Sequence, residues 1–214
     1  MAVVLVEVWS DVVCPWCYIG KRRFEAALDR FDGADEVEIV FRPFQLDPTA
    51  PVGATTPVSE VYARKFGGPD EARRVIGHVT SVAAESGLEF HLEKAQRANT
   101  LDAHRVLWFA EERGCQAEVK ERLLRAYFVD GENVGDRDTL ARIAAESGLD
   151  EDEVADMLDS TAGVGEVREQ MAIAASLGIT AVPTYVIDGK WSIPGAQDPE
   201  TFLRVLEKLQ DADE

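Results

Sequence analysis

At 214 residues, 46% of them hydrophobic and 29% charged, the chain carries enough apolar material for a substantial core and lacks the composition of a disordered segment. A net charge of −18 argues against nucleic acid or an anionic membrane as partner, because both call for positive potential. No apolar run approaches the roughly 20 residues that span a bilayer, and Glu7 interrupts the N-terminal one, which therefore reads as a strand and not a signal peptide; a cytoplasmic protein is expected.

Val4, Val6 and Val8 alternate with Leu5, Glu7 and Trp9, the pattern of a mostly buried first strand. Ser10 to Val13 form a short turn into Cys14. Pro15 suits a first helical position, where its missing N–H has no partner to lose. Phe24, Ala27, Leu28 and Phe31 recur at helical spacing, with Gly33 expected to end the helix. Val37, Ile39 and Phe41 then alternate as a second strand closed by Pro43.

From Asp47 the character changes. A loop rich in Pro, Gly and Thr opens a long stretch of successive helical signals without a convincing strand. The string Ala-Glu-Ser-Gly-Leu occurs twice, at Ala84–Leu88 and Ala145–Leu149, and predicts two similar helix C-terminal caps. A further helix is expected from about Gly165 to Leu177. Strand signals return at Pro183–Ile187 and Lys190–Ile193, and the intervening Asp188-Gly189 is a hairpin turn signal. Asp198 and Pro199 open a last helix with Phe202, Val205, Leu206 and Leu209 on one face. The fold class is thus α/β: a thioredoxin-like core in two parts, residues 1–46 and 163–214, with an all-helical domain inserted at 47–162.

Three cysteines cannot make a disulfide framework, but a close pair plus one stray suits an active-site dithiol. Disulfide exchange needs one accessible thiolate to attack and a second thiol to resolve the mixed disulfide. Cys14 and Cys17, three positions apart at a helix start, meet both needs, since unpaired N–H groups there favour negative charge. Cys14 is then the nucleophile and Cys17 the resolving thiol, with Trp16 offering an apolar surface to a substrate. Half of a zinc site is the alternative, but Cys115, His78, His91 and His104 are scattered and no metal is expected. Pro183 opens a strand, as a plain strand-start proline or as a cis proline that presents the backbone of Val182 to an extended substrate.

Cys14-Pro15-Trp16-Cys17 and the Val182-Pro183 strand start resemble the DsbA-like branch of the thioredoxin superfamily, FrnE-like subgroup. Ser10–Val13, Asn99–Arg105 and Ile193–Gln197 extend that resemblance over nearly the whole chain. It implies dithiol–disulfide exchange with protein or small thiol substrates, a redox recycling partner, and no cofactor beyond the Cys14–Cys17 disulfide itself. It also suggests Glu7 as a proton relay on the first strand; the alternative is that Glu7 reaches water at an edge. Two other functions compete with exchange. A glutathione-dependent transferase or isomerase of the kappa-class type has Ser where Cys14 stands, and a holdase would leave the dithiol without purpose. His104 reads as a helix-packing residue, the alternative being that it lines the cleft between the inserted helices and the core, and Cys115 reads as a passive thiol.

Overall fold

Alternating valines make β1 (Val4–Ser10) a strand, and its central place follows from having apolar residues on both faces. The computed structural model describes residues 4–53 and 56–212. β1 leads into α1 (Pro15–Leu28) and then into β2 (Val37–Pro43), which pairs parallel to β1 with Val8 opposite Phe41. Helices α2 (Val58–Phe66), α3 (Pro69–Glu85), α4 (Leu101–Glu111), α5 (Gln116–Arg125), α6 (Arg137–Glu146) and α7 (Glu151–Asp159) follow before the chain returns to the sheet. It does so through α8 (Val164–Ser176), β3 (Thr184–Ile187), β4 (Trp191–Pro194) and α9 (Pro199–Ala212). The sheet order is β2-β1-β3-β4, with β3 antiparallel to both its neighbours. With α2–α7 set aside, this is the thioredoxin arrangement.

The turn chemistry follows the sequence closely. Asp188 and Gly189 both hold positive φ, 48° and 65°, in the hairpin between β3 and β4, and the Lys190 amide donates back to the Ile187 carbonyl at 2.9 Å. The two Ala-Glu-Ser-Gly-Leu strings make the same cap. Gly87 and Gly148 adopt φ of 74° and 98°, and the amides of Leu88 and Leu149 reach back to the carbonyls of Ala83 and Ala144.

One boundary differs. α1 ends at Leu28, well before Gly33, because the amides of Arg30 and Phe31 tighten onto Ala27 and Leu28 and turn the Phe31 ring into the core. Gly33 serves that ring instead of the helix: a Cβ there would stand 2.9 Å from it.

α1 belongs to two cores at once. Its Phe24 and Ala27 join Val6, Val8, Tyr185, Ile187 and Phe202 on one face of the sheet. Its Tyr18 and Ile19 join the helical core built from α3–α7, where Phe90 and Phe128 stack 4.5 Å apart beside the Tyr18 ring. The N-terminus of α1 therefore lies where sheet and helices meet. The other sheet face is covered by α8 through Trp9, Ala174, Ile179 and Val186.

Candidate active site

Cys14 is the N-cap of α1, with extended backbone (φ −91°, ψ 112°) and Pro15 in the first helical position. Its carbonyl accepts from the amide of Cys17 at 3.0 Å, and its own amide donates to Asp11 O at 3.3 Å. The Cys14 side chain caps no backbone amide of its helix. Instead Sγ donates to the carbonyl of Val182 at 3.6 Å, across 168 residues of chain. The bond that follows, Val182–Pro183, is cis. Cys14 is only 3% exposed, whereas Trp16 beside it is 37% exposed, with its ring 6.3 Å from that of His78 on α3. Both Cys14 and Cys17 are free thiols here. The structure thus brings Cys14, Pro15, Trp16, Cys17, Val182 and Pro183 together.

Cys17 is buried one turn in. Burial pushes its thiol well above the usual range, and the adjacent Cys14 thiol adds to that. A buried lysine, Lys120, and a backbone hydrogen bond from Asp11 act in the opposite direction.

Gly20, also on α1, gives the proline room. A Cβ there would fall 3.0 Å from Pro183 Cγ and 2.8 Å from Tyr185 Oη, both held in the core. Gly20→Ala is therefore expected to cost about 1–3 kcal/mol by overpacking, read as a lowered urea midpoint. An unchanged midpoint would show that β3 yields freely.

Glu7 is not brought to this site. Val6 and Val8 pack toward α1, so the two-residue period of β1 turns Glu7 to the opposite face of the sheet. There its Oε1 accepts from Arg42 Nε at 2.7 Å, and Arg42 Nη1 also donates to Glu111 at 3.0 Å. It is ion-paired, neither facing Cys17 nor reaching free to water from an edge.

Asp11, Tyr62 and Lys120 carried no functional reading in the sequence. Asp11, wholly buried, precedes Cys14 in the turn; its Oδ2 accepts from the Leu46 amide at 2.8 Å and its Oδ1 lies 3.3 Å from His104 Nε2. His104 Nε2 is also 3.1 Å from the Phe44 carbonyl, which can only accept, so this nitrogen carries a hydrogen. His104 packs on α4, as its spacing predicts, and also buttresses the turn that holds Cys14. Tyr62 on α2 lies near Cys14; burial pushes its hydroxyl up to about 12, with the Cys14 charge adding. Tyr62 lines a cavity of about 270 Å³ with Val13, Pro15, Lys65, Arg97 and Tyr127. Lys120 was the most legible of those missed: with Gln116 it interrupts the apolar face Val119, Leu123, Leu124 of α5.

Residues 5–207 match the family described as DSBA-like thioredoxin domain. The chain belongs to that family. The DSBA-like assignment agrees with relatives of known sequence or structure. The chain is 37% identical to a probable DsbA oxidoreductase from Streptomyces coelicolor, with a TM-score of 0.90, covering 96% of this chain and 89% of that one. It is 30% identical over 207 residues to YwbO of Bacillus subtilis, 96% of each chain. The cytosolic disulfide reductase DsbM from Pseudomonas aeruginosa shares the fold at a TM-score of 0.67 and 20% identity, over 97% of this chain and 99% of that one. Among the described residues no helix is long and apolar enough to cross a membrane, and no group of three or more His, Cys, Asp or Glu is placed to hold a metal ion.

Proposed function

We propose that this chain is a thiol–disulfide oxidoreductase acting on protein or small thiol–disulfide substrates, with Cys14 as nucleophile and Cys17 as resolving thiol. The observation that carries this reading is the placing of Cys14 Sγ at the N-terminus of α1, 3.6 Å from the Val182 carbonyl, with Cys17 one turn beneath. The unpaired N–H groups of the first helical turn favour negative charge on a sulfur at that position. When Cys14 forms a mixed disulfide it has no thiol hydrogen left to donate. The Val182 carbonyl is then open to a substrate backbone N–H, so an extended segment is held beside the new S–S bond. Cys17 next attacks Cys14 Sγ; the Cys14–Cys17 bond forms and the substrate leaves as a thiolate. In reverse, a substrate thiolate attacks the Cys14–Cys17 disulfide and a client is oxidised. No cofactor beyond that disulfide is needed, and a separate redox partner restores the starting state.

Equilibration in glutathione buffers of graded poise, followed by thiol trapping, tests this. A single two-electron transition is expected, and it is absent in Cys14→Ser. Should Cys14 and Cys17 remain unbonded at every poise, the assignment to disulfide exchange fails.

A further inference from the structure

The exchange chemistry proposed above needs Cys17 to give up a proton inside the protein, although its surroundings oppose a bare thiolate. Among the described residues two buried ionisable side chains without a hydrogen-bond partner act on it: the Tyr185 hydroxyl of β3, which burial pushes well above its ordinary range, and Lys120. Lys120 is 1% exposed, and its Nζ has no hydrogen-bond partner among the described residues. A buried ammonium without a partner is costly, so its retention in a packed interior calls for a reason.

The placing of Lys120 is fixed from two sides. One turn earlier on α5, Gln116 exchanges hydrogen bonds with the backbone of β2, accepting from the Phe41 amide at 2.8 Å and donating to the Phe41 carbonyl at 3.0 Å. Immediately after it, Glu121 accepts from Lys21 at 2.6 Å, from Arg22 at 2.7 Å and from the Tyr18 hydroxyl at 2.7 Å, all on α1. Lys120 is thereby held between β2 and the first turns of α1. Its Nζ meets the Phe41 ring of β2 at 5.6 Å, and it interacts electrostatically with Cys17, Cys14 and Lys21 of α1 and with Asp11 of the preceding turn. Glu111 of α4 and Glu146 of α6 are paired with Arg42 and Arg122.

We propose that Lys120 Nζ holds the proton of the resolving thiol, so that Cys17 attacks as a thiolate beside an ammonium. This rests on the dithiol reading above. In the reactive form the Cys17–Lys120 pair has released one of its two protons to solvent, and the one it keeps resides on Nζ as Cys17 Sγ attacks Cys14 Sγ. The Cys17–Cys14 bond forms and the bond from Cys14 to the substrate sulfur breaks. The electron pair leaves on the substrate thiolate, which takes a proton from solvent. The substrate disulfide is reduced by two electrons and the dithiol is oxidised. In the reverse direction Cys17 leaves as a thiolate and is stabilised by the same ammonium.

Electrostatics agree with the geometry. Burial lowers the Lys120 amine to about 8, with Cys17, Asp11 and Cys14 pulling the other way. An ordinary surface lysine titrates far above neutrality and could not exchange a proton there. Coupled groups of this kind titrate as a pair.

The test uses the full chain with Cys115→Ala, which removes the stray thiol, and dithiobis(nitrobenzoate) as the substrate disulfide. Attack by Cys14 releases one coloured thiol, and resolution by Cys17 releases the second. Lys120→Met keeps length and apolar bulk while deleting the buried charge, so its melting temperature should not fall. Because Lys120 also acts on Cys14, we expect the first phase of this variant to change, but by less than its second. Its second phase should slow at least about tenfold at neutral pH, and the pH at which that phase accelerates should move up by at least about one unit. Lys120→Gln reads the same two phases if the methionine variant does not fold. A second phase with unchanged rate and pH profile in a folded variant overturns the role of Lys120. Release of only one thiol by the Cys115→Ala parent overturns the dithiol reading itself, and is distinguished by appearing before any change at Lys120.

Discussion

Cys17→Ser is expected to stop the chain at the mixed disulfide, so that substrate stays covalently attached to Cys14 instead of being released. The reason is local. Cys17 is buried one turn along α1 from Cys14, and among the described residues its sulfur is the one placed to attack the new bond. A serine hydroxyl in the same place is neither ionised nor nucleophilic enough to replace it. Turnover should fall to the uncatalysed background while one equivalent of substrate thiol is still released. Trapped adducts will be visible by mass spectrometry, and reductant will dissolve them. Multiple turnovers by this variant would mean that an external thiol resolves the intermediate and that Cys17 is dispensable.

The largest structural effect is expected at Arg105, remote from the dithiol. Its guanidinium is buried on α4 and donates to the carbonyls of Met157, Leu158, Ser160 and Ala162 at 2.6, 3.2, 2.9 and 2.8 Å, and to Asp102 at 2.7 Å. These carbonyls belong to the end of α7 and the turn after it, where a helix leaves acceptors without partners. Arg105→Ala deletes all five bonds, including the buried ones to Met157 and Leu158, and should cost about 4 kcal/mol. For a chain of this size that is a fall of roughly 10 °C in melting temperature. Arg105→Lys should recover little, because one ammonium cannot span acceptors that a planar fork reaches together. A fall of less than about 2 °C in the alanine variant would show that α7 ends elsewhere when unsupported.

How far such features can be read from sequence depends on the range over which they act. The alternation in β1 and β2, the Asp188-Gly189 hairpin and the paired Ala-Glu-Ser-Gly-Leu caps are each decided within a few residues, and each was legible. Cys14 and Cys17 were legible for the same reason, since both stand on one helix start. Glu7 was misplaced because a lone acid in a strand advertises cost but not which face it occupies; one residue of register decides that. The Asp11–His104 pair spans 93 positions, and neither residue is unusual in its own segment. Lys120 and Arg105 did leave a mark, as charges set within the apolar faces of their helices. Such a mark says that a side chain is buried, whereas its partner is chosen by tertiary packing. The early end of α1 belongs to the same class, being dictated by where the Phe31 ring finds the core.

The sharing of α1 between two cores has a consequence for how this architecture can be cut or exchanged. A chain reduced to β1, α1, β2, α8, β3, β4 and α9 would keep Cys14, Cys17 and Pro183 and would look complete on paper. It would expose Tyr18 and Ile19 to water and lose the α5 clasp on α1. It would also lose Lys120, the buried lysine whose charge acts on Cys17. The helices are therefore no detachable attachment to a self-sufficient enzyme. A graft that transplants the cysteine loop onto a bare core, or swaps the helices for those of a relative, transfers half of a reactive centre.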